Sequence, residues 1–77
     1  MKKVVIYSQP GCPPCEWAKK YLTERNVPFT AKDVSSDFSA QKELVGKYNS
    51  RTTPTIVVGE EVMIGFDPDR LEKMLAD

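Results

Sequence analysis

The chain has 77 residues, of which 40% are hydrophobic and 29% charged, and eleven basic residues balance eleven acidic ones. These values predict one small globular domain over residues 1–77, without a basic surface for nucleic acid. No apolar run is long enough for a membrane span or, after the opening Met1-Lys2-Lys3, for a signal peptide, so we expect a cytoplasmic monomer.

The first part of the chain is predicted to form two strands joined by a helix. A β-branched run predicts a buried strand over residues 3–7. A helix follows over residues 13–25, where two prolines in the first turn are tolerated because N–H groups there lack helical partners. Asn26-Val27-Pro28 ends that helix, and residues 29–34 are predicted as a second strand parallel to the first.

A second helix is predicted over residues 38–48, with Ser35-Ser36-Asp37 as its cap. Gly46 weakens its last turn, since glycine inside a helix costs about 1 kcal/mol relative to alanine. Three apolar residues fall near one stripe of this helix, which we expect to face the core: Phe38, Val45 and Tyr48.

After a loop over residues 49–54, the chain is predicted to end with a β-hairpin and a third helix. Strands over residues 55–58 and 62–64 flank a turn at residues 59–61. Asp67 caps the last helix and Pro68 opens it. The order β-α-β-α-β-β-α packs most economically as one four-stranded mixed sheet flanked by helices, an α/β fold.

The two cysteines of the chain, Cys12 and Cys15, lie where the first strand turns into the first helix. Residues three apart on a helical turn face the same side, so these two are close enough to form a disulfide. We expect Cys12 to be exposed at the helix N-terminus, where unpaired N–H groups and the helix dipole favour the thiolate. This arrangement predicts a reversible dithiol.

Three motifs resemble the glutaredoxin type of the thioredoxin superfamily, over essentially the full chain. They are Cys12-Pro13-Pro14-Cys15, Thr53-Pro54 before the third strand, and Gly65-Phe66-Asp67-Pro68-Asp69 at the start of the last helix. The resemblance implies a thioredoxin-like fold and a cis Thr53–Pro54 bond beside the dithiol, with the Thr53 backbone free to pair with a substrate chain. Thiol chemistry then makes Cys12 the nucleophile on a disulfide of a protein or small molecule, and Cys15 the resolving thiol.

The electron donor stays open between glutathione and thioredoxin reductase. Glutathione-using glutaredoxins resemble one another in a Gly-Gly-x-Asp-Asp-like turn and a basic residue three positions before the first cysteine, where this chain has Gln9. The turn here is similar to that of glutaredoxins that serve ribonucleotide reductase and draw electrons from thioredoxin reductase. No bound cofactor is expected, although Arg51 can pair with a carboxylate of glutathione. The candidate substrate-binding residues are Gln9, Arg51, Thr53, Pro54, Gly65, Phe66 and Asp67.

The two prolines between the cysteines predict the redox properties. With Cys12 as helix N-cap, its sulfur accepts hydrogen bonds only from Cys15 onward, because Pro13 and Pro14 have no N–H. The chain also has no histidine to supply a positive charge. We predict a less stabilised thiolate than in the family's usual Cys-Pro-Tyr-Cys, and a reduction potential nearer about −270 mV than about −200 to −230 mV.

Other uses of these residues stay open. The same cysteines can serve a metal or iron–sulfur-cluster module, but two thiolates supply only half of a tetrahedral site, so a second chain or added thiols would be needed. They can also be buried small hydrophobes, and Thr53-Pro54 can be an ordinary trans turn. Trp17 and Tyr21, at helical spacing, are predicted to serve packing rather than substrate contact.

Overall fold

A computed structural model describes residues 2–76, in which four strands form one sheet with helices on both faces. In chain order the elements are β1 (Val4–Ser8), α1 (Pro13–Glu24), β2 (Thr30–Asp33), α2 (Phe38–Lys42) with a π-helical segment (Glu43–Lys47), β3 (Thr55–Val58), β4 (Glu61–Ile64) and α3 (Pro68–Leu75). The predicted order of elements is confirmed.

The sheet has the strand order β2-β1-β3-β4. β1 and β2 are parallel, while the β1–β3 and β3–β4 pairs are antiparallel. Ile56 lies opposite Ile6 on one side and opposite Met63 on the other. The fold is therefore the thioredoxin-like four-stranded mixed sheet that the sequence predicts, with β1 at its centre directing the chain into the cysteine motif.

Two apolar clusters occupy the two faces of the sheet, because successive side chains of a strand point to opposite sides. On one face, α1 and α3 pack on a cluster that consists of Val4, Ile6, Ala18, Leu22, Ile56, Val58, Met63, Leu71 and Met74. On the other face, α2 and the π-helical segment pack on a smaller cluster that consists of Tyr7, Ala40, Leu44 and Val57. The larger cluster supports the helix that carries the cysteines.

Leu22 anchors α1 to the sheet and is 0% exposed. We expect Leu22→Ala to lower the free energy of unfolding by about 2–5 kcal/mol, because it removes buried methyl groups and leaves a cavity. Urea denaturation measures this loss. Lys20→Ala, at an exposed position of the same helix, is the control and should change stability by less than about 0.5 kcal/mol. Equal effects of the two substitutions would contradict this role of Leu22.

The second helix differs from its prediction at both ends. Its N-cap is Asp37 alone, whose carboxylate accepts the Ala40 N–H at 3.1 Å. Ser35 instead donates to Asp33 within the preceding turn. Near the other end, the Tyr48 N–H donates to the Glu43 carbonyl at 3.2 Å, a five-residue spacing that defines the π-helical segment.

Three positions that were predicted to pack inward are exposed. Phe38 and Val45 are 64% and 39% exposed, and Ala40 and Leu44, four residues apart, face the sheet in their place. Trp17 is 59% exposed because the adjacent Ala18 lies on the buried face of α1. Tyr48 does pack inward, with its ring centroid 5.6 Å from that of Tyr7, and Tyr21 packs against the core as predicted.

The remaining element ends that differ from the prediction shift by one residue. β1 extends through Ser8, α1 ends at Glu24, and β2 is shorter than predicted by one residue at each end. β4 starts at Glu61, which pairs with Val58. The hairpin loop therefore consists of two residues, Gly59 and Glu60, which is the commonest loop length in β-hairpins.

Candidate active site at the Cys12–Cys15 disulfide

Cys12 and Cys15 are joined by a disulfide at the start of α1, with their Cα atoms 5.3 Å apart. Gly11 leads into the motif with a φ of +74°, a left-handed conformation that glycine adopts without a steric penalty. Cys15 is 0% exposed and Cys12 is 8% exposed. The prediction of an exposed Cys12 was therefore too strong, but Cys12 is the more accessible of the two residues.

Among residues 2–76, one backbone N–H donates to the Cys12 sulfur. Cys12 is the N-cap of α1, and its Sγ accepts the Cys15 N–H at 3.3 Å. The two intervening positions are prolines, which lack an N–H. The Cys15 N–H also lies 3.1 Å from the Cys12 carbonyl oxygen, so this donor is shared. The predicted shortage of backbone donors at this sulfur is confirmed.

A second donor comes from the loop before β3. The Thr53–Pro54 peptide bond is cis, as the resemblance implied. The Thr53 hydroxyl donates to Cys12 Sγ at 3.7 Å. Sequence reasoning assigned only the Thr53 backbone to the site and missed its hydroxyl. The available signal was the residue type, since a threonine before this proline brings a donor close to the first cysteine.

The predicted Gly65–Asp67 segment makes mainly structural contacts. The Gly65 N–H donates to the Pro54 carbonyl at 2.7 Å, and its φ of +90° favours glycine. The Asp67 carboxylate caps α3, accepting two first-turn N–H groups at 3.1 and 3.3 Å. Phe66 is half-buried, with an edge-to-face contact to Tyr21 at 5.8 Å between ring centroids. Only Gly65 in this segment is bonded to the loop beside the cysteines.

Three other predicted residues line one cleft. Gln9, Arg51 and Thr53 border a space of about 500 Å³, on the side of the molecule where α2 packs. Val34 and Leu44 supply apolar lining. Gln9 and Arg51 are exposed, whereas Thr53 is half-buried. The fold therefore brings an amide, a guanidinium and a hydroxyl together at a cleft that reaches the threonine beside Cys12.

A hydrogen-bonded network of polar and charged side chains, on the face of the sheet that α2 covers, was not predicted. The Glu43 carboxylate accepts hydrogen bonds from Lys32 Nζ at 2.8 Å and from the Tyr7 hydroxyl at 3.1 Å. The bond from Lys32 holds the pKa of Glu43 below its usual range, and burial is the main cause of a raised pKa at Tyr7. The three residues are distant in sequence, so no local pattern indicated that they meet. Together they connect β1, β2 and the π-helical segment.

This network predicts acid sensitivity. Because the folded-state pKa of Glu43 is lowered from 4.5, its contribution to stability is full above pH 4.5 and is lost as the pH falls through the lowered value. We expect Glu43→Gln to be less stable than the wild type at about pH 7, with the difference shrinking by about pH 3. Urea denaturation at both pH values measures this, and Glu60→Gln in the exposed hairpin turn is the control. A difference that is independent of pH would contradict the role of the carboxylate.

Two other kinds of site have no support in the described part of the chain. Within residues 2–76, no group of three or more His, Cys, Asp or Glu side chains is placed to hold a metal ion. Over the same residues, no helix combines the length and the apolar composition needed to span a membrane.

Comparison with known proteins agrees with this geometry. The thioredoxin-like protein BC3987, a crystal structure, superposes with a TM-score of 0.91 at 40% identity, covering 95% of this chain and 100% of that one. The gene 56 protein of Mycobacterium phage L5 is 32% identical over 73 residues, which are 94% of this chain and 71% of that protein. The N-acetyl-S-hydroxy-L-cysteine reductase of Bacillus subtilis is 38% identical over 56 residues, which are 73% of this chain and 60% of that protein.

The family model for glutaredoxin matches residues 4–63, which include both cysteines, the Thr53–Pro54 bond and all four strands except the last residue of β4. This match covers well over half of the chain, and the fold and the bonded cysteine pair are those of thiol–disulfide oxidoreductases. The chain therefore belongs to the glutaredoxin family of the thioredoxin superfamily.

Proposed function

We propose that the protein reduces disulfides through its Cys12–Cys15 pair, with Cys12 as the attacking thiol and Cys15 as the resolving thiol. The observation that carries this assignment is the unequal position of the two residues. Cys12 caps α1 beside Thr53 and retains some exposure, whereas Cys15 is inside the first turn and fully buried. An incoming disulfide therefore meets Cys12 first.

The proposed reaction consists of two successive thiol–disulfide exchanges. The Cys12 thiolate attacks one sulfur of the substrate disulfide, forms a mixed disulfide and expels the other sulfur as a thiolate, which takes up a proton. The Cys15 thiolate then attacks Cys12, releases the second substrate thiol and closes the bridge. With the two Cα atoms 5.3 Å apart, this second step has a high effective concentration. Two electrons from an external dithiol or thiol donor reopen the bridge.

Substrate contacts are proposed at the loop and the cleft. The backbone of Thr53, next to Pro54, is placed to pair with an extended substrate chain, while Arg51 and Gln9 recognise a carboxylate or a backbone amide. Gly65 acts indirectly, through its bond to the Pro54 carbonyl. The capping role of Asp67 and the packing of Phe66 argue against a direct contact by their side chains.

The electron donor and the substrate can be separated by one set of assays. Oxidised protein is mixed with glutathione, or with thioredoxin reductase and NADPH, and turnover is followed with a protein disulfide and with a small disulfide. The small-molecule arm is included because one relative is named as an N-acetyl-S-hydroxy-L-cysteine reductase. Because Gln9 replaces a basic residue and Pro68 lies in the turn, we expect thioredoxin reductase to be the more efficient donor. Absence of turnover with every donor and substrate would refute the proposed activity.

The metal-module alternative is less favoured. Within residues 2–76 the two cysteines have no third potential ligand grouped with them, so a metal ion would need ligands from a second chain or from added thiols. The protein is proposed to act in the cytoplasm as a single-domain monomer, without a nucleic-acid or membrane partner and without a bound cofactor. A coloured or metal-containing protein as isolated would favour the alternative.

A further inference from the structure

Two buried hydroxyl groups lie under the loop that contacts Cys12. Ser50 is 2% exposed and Thr55 is 0% exposed, and their side-chain oxygens are 2.8 Å apart. Buried hydroxyls lose their hydrogen bonds to water and need partners inside the protein. Both of these groups find them on one residue, Thr52.

The hydrogen bonds form a closed ring, and within it the Ser50 hydroxyl also lies 3.4 Å from the Thr52 carbonyl oxygen, as a weaker second acceptor. The Thr52 N–H donates to Ser50 Oγ at 3.3 Å, and Thr55 Oγ1 donates to the Thr52 carbonyl at 2.6 Å. A threonine hydroxyl has one proton, and because the 2.6 Å bond to the Thr52 carbonyl uses it, Thr55 accepts from Ser50 in their 2.8 Å contact. The ring runs from the Thr52 N–H through both hydroxyls and back to the Thr52 carbonyl. It therefore fixes both polar backbone groups of Thr52, and its members polarise one another.

This ring lies directly beside the hydrogen bond from Thr53 to the Cys12 sulfur. Thr52 directly precedes Thr53, whose hydroxyl donates to Cys12 Sγ at 3.7 Å. On the other side of Thr53, the Pro54 carbonyl accepts the Gly65 N–H at 2.7 Å. The backbone on both sides of Thr53 is thus held by hydrogen bonds. Since the two prolines after Cys12 supply no N–H, the orientation of this hydroxyl has a large share in the environment of the sulfur.

We infer that Ser50 and Thr55 are positioning residues, which act through Thr52 to direct the Thr53 hydroxyl at the Cys12 sulfur and so stabilise the Cys12 thiolate. The inference rests on the proposed reaction, in which this thiolate is the nucleophile. Removing the Thr55 hydroxyl takes away the 2.6 Å bond on the Thr52 carbonyl and leaves only the 3.4 Å contact from Ser50, whereas removing the Ser50 hydroxyl takes away the acceptor of the Thr52 N–H. Either change loosens the Thr52 peptide and weakens the bond from Thr53.

The test measures the pH dependence of Cys12 alkylation by iodoacetamide, in a Cys15→Ser background so that only one thiol reacts. Thr55→Val, which keeps the shape and removes the hydroxyl, is expected to raise the pKa of Cys12 and to slow alkylation about fivefold at pH values below that pKa. Thr55→Ser keeps a hydroxyl and is expected to preserve the profile. Thr23→Val is the matched control, since it removes a 2.8 Å hydroxyl–carbonyl bond at the far end of α1.

Non-additivity distinguishes positioning from a general loss of structure. Thr53→Val removes the donor itself, so adding Thr55→Val to it should cause no further rise in the pKa of Cys12. Ser50→Ala is the second way to open the ring, and it decides the question if Thr55→Val does not fold. An unchanged profile in the folded ring variants, or full additivity with Thr53→Val, would overturn the inference. Neither result bears on disulfide turnover by the wild type, which tests the proposed function separately.

Discussion

Replacing Cys12 with serine is expected to lower disulfide reduction more than about a thousandfold, because the serine hydroxyl is not ionised at neutral pH whereas a thiolate is the nucleophile. Replacing Cys15 with serine is expected to have a different effect. The attack by Cys12 still takes place, but the mixed disulfide is not resolved, so the protein stays covalently joined to half of its substrate. Multiple turnover through the dithiol route therefore stops in both variants, but for different reasons.

Two measurements distinguish these variants. Steady-state reduction of a protein disulfide reports turnover, and mass spectrometry of the intact protein reports the trapped adduct, which should be present in Cys15→Ser and absent in Cys12→Ser. Ser36→Ala, at an exposed turn position far from both cysteines in the sequence, is the control and should leave turnover unchanged. An adduct on Cys15 in the Cys12→Ser variant would reverse the assignment of the two thiols, even if wild-type turnover were high.

The parts of this site that the sequence predicted are those with a local cause. The placement of Cys12 and Cys15 follows from a strand that turns into a helix, and the helix fixes their spacing. The single backbone donor follows from the covalent structure of proline. The position of Thr53-Pro54 relative to the cysteines was inferred from the family resemblance, since no local pattern connects residues that are 41 positions apart.

The parts that were missed depend on packing between distant segments. The Thr53 hydroxyl reaches Cys12 only because β1 and β3 are neighbours in the sheet. Phe38 and Val45 do lie on one face of the helix, but it is the exposed face. Ala40 and Leu44 pack on the sheet instead. The π-helical turn was also missed. A π-helical turn has no distinctive sequence pattern here, since Gly46 weakens an α-helix without specifying what replaces it.

Pro14→Ala is expected to make the Cys12 thiolate more stable. Position 14 is the second residue of α1, and an N-cap side chain accepts hydrogen bonds from the N–H of the second or third helical residue. At present only the third of these donates, from Cys15 at 3.3 Å. Alanine restores the missing N–H beside a negatively charged sulfur, and we expect the pKa of Cys12 to fall by about one unit.

The same change should alter the redox equilibrium. A more stable thiolate stabilises the reduced protein, so the reduction potential becomes more oxidising, by about 30 mV for each unit of pKa. For the wild type we expect a value nearer about −270 mV than about −200 to −230 mV, measured by equilibration with a thiol–disulfide couple of known potential. A wild-type potential above that range would contradict the argument from the missing donors.

Pro13→Ala separates the donor from other effects of removing a proline. It makes the chain equally more flexible and restores an N–H, but at the first helical position, which an N-cap side chain does not use as a donor. We therefore expect Pro13→Ala to leave both the pKa of Cys12 and the potential near the wild-type values. If the two alanine variants shift the potential equally, the prolines act through the stiffness of the turn. If only Pro14→Ala shifts it, the number of N–H groups facing the Cys12 sulfur sets how reducing this dithiol is.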